Sequence, residues 1–178
     1  MKTELSREYG MVKEFHIAFG LDVDAVWSPH LLRLRNRLIT EEYNELMEES
    51  RAQEFVGEKY LKESCDLVYV LLGTAVSLGL PHLSGGRSGA IRVINQLHKI
   101  LNVDTPEVRE TLSKDVWRTC EVVGGTVNAL FNDRFEEAFR RVHESNMSKL
   151  TNGKVSRRED GKVLKGPDYK PCDLGDLV

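Results

Sequence analysis

The stretch LITEEYNELMEES, residues 38–50, places Glu41, Glu42, Glu45, Glu48 and Glu49 among leucine, tyrosine and methionine, and a second acidic pair, Glu63 and Asp66, follows downstream. Carboxylates brought together from two neighbouring helices suit a hard divalent cation. Mg2+ or Mn2+ prefers oxygen ligands and can keep waters while touching a phosphate. Without a cation the same acids repel, and their pKa values rise. Two readings stand at this level: a metal centre, or a charged helix face tied into ion pairs at the edge of a core. Ferritin-like iron chemistry is disfavoured, because that arrangement normally draws on Glu-x-x-His motifs and the sequence has none.

These residues need elements to hold them. Leu31, Leu34 and Leu38 advance by three and four positions, and Glu42, Glu45 and Glu49 continue the same progression. Acids thus replace leucines on an inward stripe, beside the apolar stripe Leu32, Ile39, Tyr43 and Leu46. The spacing predicts a helix over about residues 28–53, with Ser28 as N-cap and Pro29 as its first residue. A second helix is predicted over 58–79, with Leu61, Cys65, Val68 and Leu72 buried and with Glu63 and Asp66 in line with Val70 and Gly73. The short connection makes the two antiparallel neighbours, so their acidic segments can meet. Glu41 and Glu49 are available for a second ion or a catalytic water.

Further helices are predicted over residues 6–19, from the SGGRSG stretch to about 101, over 106–131 and over 134–149. The whole is expected to be an all-α bundle of about five helices. Residues 82–89 read as a flexible linker, since their glycines lack the spacing of a P-loop. Gly124 and Gly125 imply either a close helix crossing or a break. From residue 151 the composition changes to turns at Asn152-Gly153, Asp160-Gly161 and Gly166-Pro167, with basic residues throughout. This predicts a domain over 1–150 and an arm or hairpin over 151–178 that packs on the same domain or on a partner subunit.

The 178 residues, 40% hydrophobic and 30% charged, suffice for one packed core. Three scattered cysteines without a CxxC pair fit a reducing compartment, and the sequence shows neither a signal-peptide core nor a membrane span. A cytoplasmic location and no membrane partner are the expectation. A net charge of -3 gives no support for polynucleotide binding. The basic C-terminal region complements the acidic cluster: Asn146 can hydrogen-bond a base, sugar or phosphate, and Lys149, Lys162 and Lys165 can offset phosphate charge. Tyr169 suits a base contact or an anchor for the arm, and His16 a substrate contact or a packed core position. Ser145 has no local partner of a hydrolase triad.

Glu42-x-x-Glu45, then 17 residues, then Glu63-x-x-Asp66, resembles the metal-binding pattern of the all-alpha nucleotide pyrophosphohydrolases. That superfamily contains MazG-like enzymes, phosphoribosyl-ATP pyrophosphohydrolases and dimeric dUTPases. FEEAFRRVHESNMSKL and DGKVLKGPDYKP resemble C-terminal segments of the phosphoribosyl-ATP pyrophosphohydrolase-like subgroup, and VKEFHIAFG resembles the early substrate-facing helix. The resemblance implies a homodimer that cleaves nucleoside triphosphates, with dUTP among the candidates, between the alpha and beta phosphates to a monophosphate and pyrophosphate. It further implies Glu42, Glu45, Glu63 and Asp66 as ligands of Mg2+, or Mn2+, and Glu41 as the residue that orients or deprotonates the attacking water. His16, Asn146, Lys149, Lys162, Lys165 and Tyr169 are the expected substrate contacts. A nucleotide-binding regulator without turnover and a purely structural helical protein are the alternatives.

Overall fold

A computed structural model describes residues 5–151 and 153–178. Among these residues six α-helices form: α1 (Ser6–Ala18), α2 (Pro29–Arg51), α3 (Gly57–Leu78), α4 (Ala90–Ile100), α5 (Pro106–Leu130) and α6 (Phe135–Met147), with a 3-10 turn at Gly175–Leu177. The expectation of about five is corrected to six, because the short stretch after the SGGRSG segment forms a helix of its own, α4, and each of the other predicted stretches stays separate; Gly124 and Gly125 do not break α5. A Cβ at Gly124 would lie 3.2 Å from the Phe135 ring, so the glycine permits the close crossing of α5 and α6. Among the described residues there are no strands, only isolated bridges in the arm.

α3 is the axis of the bundle and packs against α1, α2, α5 and α6. From Leu67 onward every residue of it except Val70 is buried, so this half of the helix has no polar face to give to solvent. Gly79, at φ 62°, ends it in the left-handed conformation. α2 starts as its sequence predicts: the Ser28 hydroxyl accepts a 3.1 Å hydrogen bond from the Leu31 amide, and Pro29 opens the helix. It runs antiparallel to α3. Arg35, early in α2, reaches Val70 and Thr74, late in α3, whereas Glu49, late in α2, faces Lys59 at the start of α3.

The linker over residues 82–89 is pinned rather than loose. The amide of Arg87 donates to Asp115, and that of Gly89 to Thr119. A Cβ on Gly86 would fall 2.4 Å from the backbone of Lys114, so this loop lies directly on α5. The arm folds back over α2. Arg158 and Lys162 are paired by an amide-to-carbonyl bond of 2.7 Å around a turn closed by Gly161 at φ 98°. That turn is the predicted one at Asp160-Gly161, while Asn152 of the predicted Asn152-Gly153 turn lies outside the described residues. Arg157 fastens the arm to the end of α1 by donating to the carbonyls of Phe19 and Gly20.

Candidate active site

The acidic stripes of α2 and α3 face each other. Carboxylate oxygens of Glu42, Glu45 and Glu63 lie within 4.8 Å of one another. Asp66 is not in that set; its Oδ2 accepts a 2.8 Å bond from Lys62, whose ammonium also reaches Glu63 Oε1 at 2.7 Å. Glu49 pairs with Lys59 at 3.8 Å and stands apart from the triad. Burial, then the nearby charge of Asp66, raises the Glu42 carboxyl to about 7; Lys162 opposes this, and Glu45 and Glu63 add to it. Burial also raises Glu63, against the pull of Lys62. The Oε2 of Glu63 is buried with no hydrogen-bond partner. An orphaned carboxylate oxygen beside two more acids is a poor arrangement for an empty protein and a suitable one for a hard divalent cation, so the residues present fit such an ion.

Above the acids lies a cavity of about 540 Å3, lined by Glu42, Glu45, Asp66, Asn146, Lys149, Lys162 and Lys165. That size falls within the roughly 300–1,000 Å3 usual for small-molecule sites. Lys162 donates to Glu41 at 2.5 Å and lies 3.5 Å from Glu42. Lys149 donates to Asn146 Oδ1 at 2.6 Å, and the Asn146 amide nitrogen, with two protons, serves Tyr69 and has one further proton to donate. Burial lowers the Lys149 pKa, and Asp66 and Glu42 counteract it. Tyr169 is held on two sides: its hydroxyl lies 3.3 Å from Ser145 Oγ, whose own proton goes to the Lys170 carbonyl at 2.7 Å, and Lys165 lies 4.7 Å above its ring. Glu41 is engaged on both oxygens, by Arg158 at 2.7 Å and by Lys162. Burial pushes its carboxyl up, but the two hydrogen bonds prevail and hold it below the usual range.

A second, inner cavity of about 120 Å3 continues from Glu42 and Asp66 between α1, α2 and α3. Leu31, Leu34 and Leu38 line it, so the leucine stripe and the acidic stripe of α2 face one continuous slot. His16 and Arg35 stand in its wall. The Nδ1 of His16 is 2.8 Å from the carbonyl of Asp22 and must donate there, which leaves Nε2 as an acceptor. Burial, then the charge of Arg35, lowers His16 to about 4, so the ring is neutral at pH 7. Arg35 is 5% exposed and has no carboxylate hydrogen-bonded to it; Nε donates to Thr74 and Nη2 to the Val70 carbonyl. Burial lowers its pKa to about 10, and it remains charged. Gly73 makes this possible, since a Cβ there would lie 2.6 Å from Arg35 Nη2 and 3.1 Å from His16 Nε2.

Sequence reasoning named Glu42, Glu45, Glu63, Asp66, His16, Asn146, Lys149, Lys162, Lys165 and Tyr169, all of which reach these two cavities or the triad, and Glu41, which lines neither cavity and is paired with Arg158 and Lys162 instead. It missed Arg35, Lys62 and Arg158. The signal for Arg35 was present: it sits four residues after Leu31 and four before Ile39, on a buried face where a cation is out of place.

The all-α scaffold thus joins four acidic residues on two antiparallel helices to a lysine-lined cavity. Residues 12–84 match the family model of phosphoribosyl-ATP pyrophosphohydrolase, within the MazG-like all-alpha nucleoside triphosphate pyrophosphohydrolase superfamily that the two acidic pairs resemble. The match runs from α1 to the turn after α3 and takes in the triad, His16, Arg35 and Gly73; it covers less than half of the chain, and α4, α5, α6 and the arm lie beyond it. No curated protein and no solved structure matched the chain. Among the described residues no helix is long and apolar enough to cross a membrane.

Proposed function

We propose that the protein is a Mg2+-dependent, or Mn2+-dependent, nucleoside triphosphate pyrophosphohydrolase that cleaves between the alpha and beta phosphates to a nucleoside monophosphate and pyrophosphate. The observation that carries this reading is the orphaned oxygen of Glu63 beside Glu42 and Glu45, at the junction of a lysine-lined cavity and an apolar slot. Glu42, Glu45 and Glu63 hold the cation, with Asp66 adding charge beside them. A bound cation of this kind offsets phosphate charge and makes water a nucleophile near neutral pH. Lys149, Lys162 and Lys165 receive the phosphate chain, and Asn146 donates to a sugar or phosphate oxygen. The base enters the apolar slot, where Arg35 donates to it and His16 Nε2 accepts from it. Glu41, with both oxygens held by cations, is a weak base; we assign it to clamp the arm over the phosphates, so that the arm excludes water from all but the attacking position. Tyr169 anchors the arm to α6 rather than stacking on a base.

Deoxynucleotides and dUTP are candidate substrates, as the family resemblance implies. A second reading is favoured by the family match: the ligand is phosphoribosyl-ATP, which carries a further phosphoribosyl group on its base. The small volume of the inner cavity, about 120 Å3, favours a plain base over one that carries a phosphoribosyl group. The protein is proposed to act as a homodimer in the cytoplasm, without polynucleotide or membrane partners. Incubation with each NTP, each dNTP and phosphoribosyl-ATP, with separate detection of monophosphate, pyrophosphate and orthophosphate, tests the reading. Pyrophosphate with a nucleoside monophosphate is the expected result; stepwise orthophosphate release, or no turnover with any triphosphate, refutes it.

A further inference from the structure

Glu63 faces two ways. Its Oε1 accepts from Lys62, which at the same time holds Asp66 Oδ2. Its Oε2 is buried and unpartnered, and Glu63 completes the triad with Glu42 and Glu45. The acids therefore form two neighbouring places that share one carboxylate: one walled by Glu42, Glu45 and Glu63, the other by Glu63 and Asp66. Two cations sharing a bridging carboxylate at about 3.5–4 Å is the arrangement of a two-metal centre. Here the second place is already filled by an amine.

We propose that the Lys62 ammonium takes the place of a second metal, so that the centre binds one divalent cation per chain. This rests on the reading of the triad as a metal centre. Two observations carry it. Lys62 lies on the same helix as both of its partners, adjacent to Glu63 and one turn before Asp66, so α3 itself delivers the ammonium to this place. The lysine bonds, at 2.7 and 2.8 Å, take the oxygens a second ion would need and leave Oε2 of Glu63, the residue shared with the triad, without a partner. A fixed amine needs no loading from solution, and it leaves the occupancy of a single ion to set metal demand.

The test is Mn2+ binding to the full chain without nucleotide, counted by equilibrium dialysis and read by electron paramagnetic resonance. The wild type should take one Mn2+ per chain with the resolved hyperfine pattern of an isolated ion. Lys62→Met should take two, with a spectrum broadened by coupling between the ions, and Lys62→Arg should stay at one. Two coupled ions in the wild type, or one ion in a folded Lys62→Met, overturns the substitution of amine for metal and leaves the pyrophosphohydrolase reading intact. A wild type that binds no Mn2+ overturns the metal centre itself, and this inference with it.

Discussion

Glu42 is the acid whose environment is most at odds with its charge, and Glu42→Gln exposes that cost. Its carboxyl is raised from 4.5 to about 7, first by burial and next by Asp66. At about 1.36 kcal/mol per pKa unit, the folded protein favours the protonated form by on the order of 3 kcal/mol. A raised carboxyl contributes its stability below the unfolded pKa and loses it as pH rises through the folded value, so the window runs from about pH 4.5 to 7. Glutamine fills the same space and cannot ionise. The opposing pull of Lys162, 3.5 Å away, is already contained in that raised value, so its loss takes nothing further from the difference. In a chelator at pH 8, Glu42→Gln should therefore be more stable than wild type by on the order of 3 kcal/mol, or roughly 6–12 °C in Tm for a chain of this length. At pH 4 the difference should vanish. With Mn2+ at pH 8 in about 1,000-fold excess over its Kd the order should reverse, since such an ion stabilises the wild type by about 4.1 kcal/mol. Thermal melts followed by circular dichroism, with chelator and with Mn2+, provide the assay. A variant no more stable than wild type in chelator at pH 8, or a wild type indifferent to Mn2+, refutes the reasoning.

Replacing Arg35 with Met removes a buried cation without a bonded carboxylate, so Tm should move by no more than a few degrees. Loss of a charged hydrogen bond of about 1.5–3 kcal/mol should lower kcat/KM by about 10- to 100-fold, as steady-state kinetics will measure. Gly73→Ala should reduce kcat/KM by displacing the same guanidinium, and overpacking of about 1–3 kcal/mol, set against about 1 kcal/mol of improved helix propensity, should leave the fold slightly less stable in denaturant melts. His16 should show no imidazole titration by NMR between pH 5.5 and 8, because its depressed pKa near 4 keeps it neutral; its contribution to stability is present above about pH 6.5 and lost as pH falls toward 4. Arg158→Ala cuts partly exposed pairs to Glu41 and Asp160, so Tm should barely move while proteolysis of the arm accelerates, as timed digestion would record.

The helices were legible because amphipathic spacing, the Ser28 cap and Gly79 act locally, and the acidic stripe was legible because it interrupts the leucine progression of α2. What sequence spacing does not carry is partnership across the fold. The engagement of Glu41 by Arg158 and Lys162 joins residues more than a hundred positions apart, and no periodicity announces it. Arg35 was visible as a cation on a buried face, but its meaning depends on the missing side chain at Gly73, on another helix. The loop over residues 82–89 has the composition of a flexible linker; only its bonds to Asp115 and Thr119 reveal it as a packed edge of α5. The α5–α6 crossing is similar, since two glycines in a helix fit a break as well as the approach of the Phe135 ring.

The two facing stripes also work as a ruler. On α2, Arg35 and Glu42 are seven residues apart, and on α3 the same interval separates Gly73 from Asp66. At 1.5 Å of rise per residue, each helix marks off about 10.5 Å between the buried guanidinium and the carboxylates. A molecule that engages both ends must itself keep a hydrogen-bonding head that far from its charged phosphorus. On the proposed function, inorganic triphosphate would reach only the acidic end and a free nucleoside only the basic one, so the fold would select for length before it selects for base.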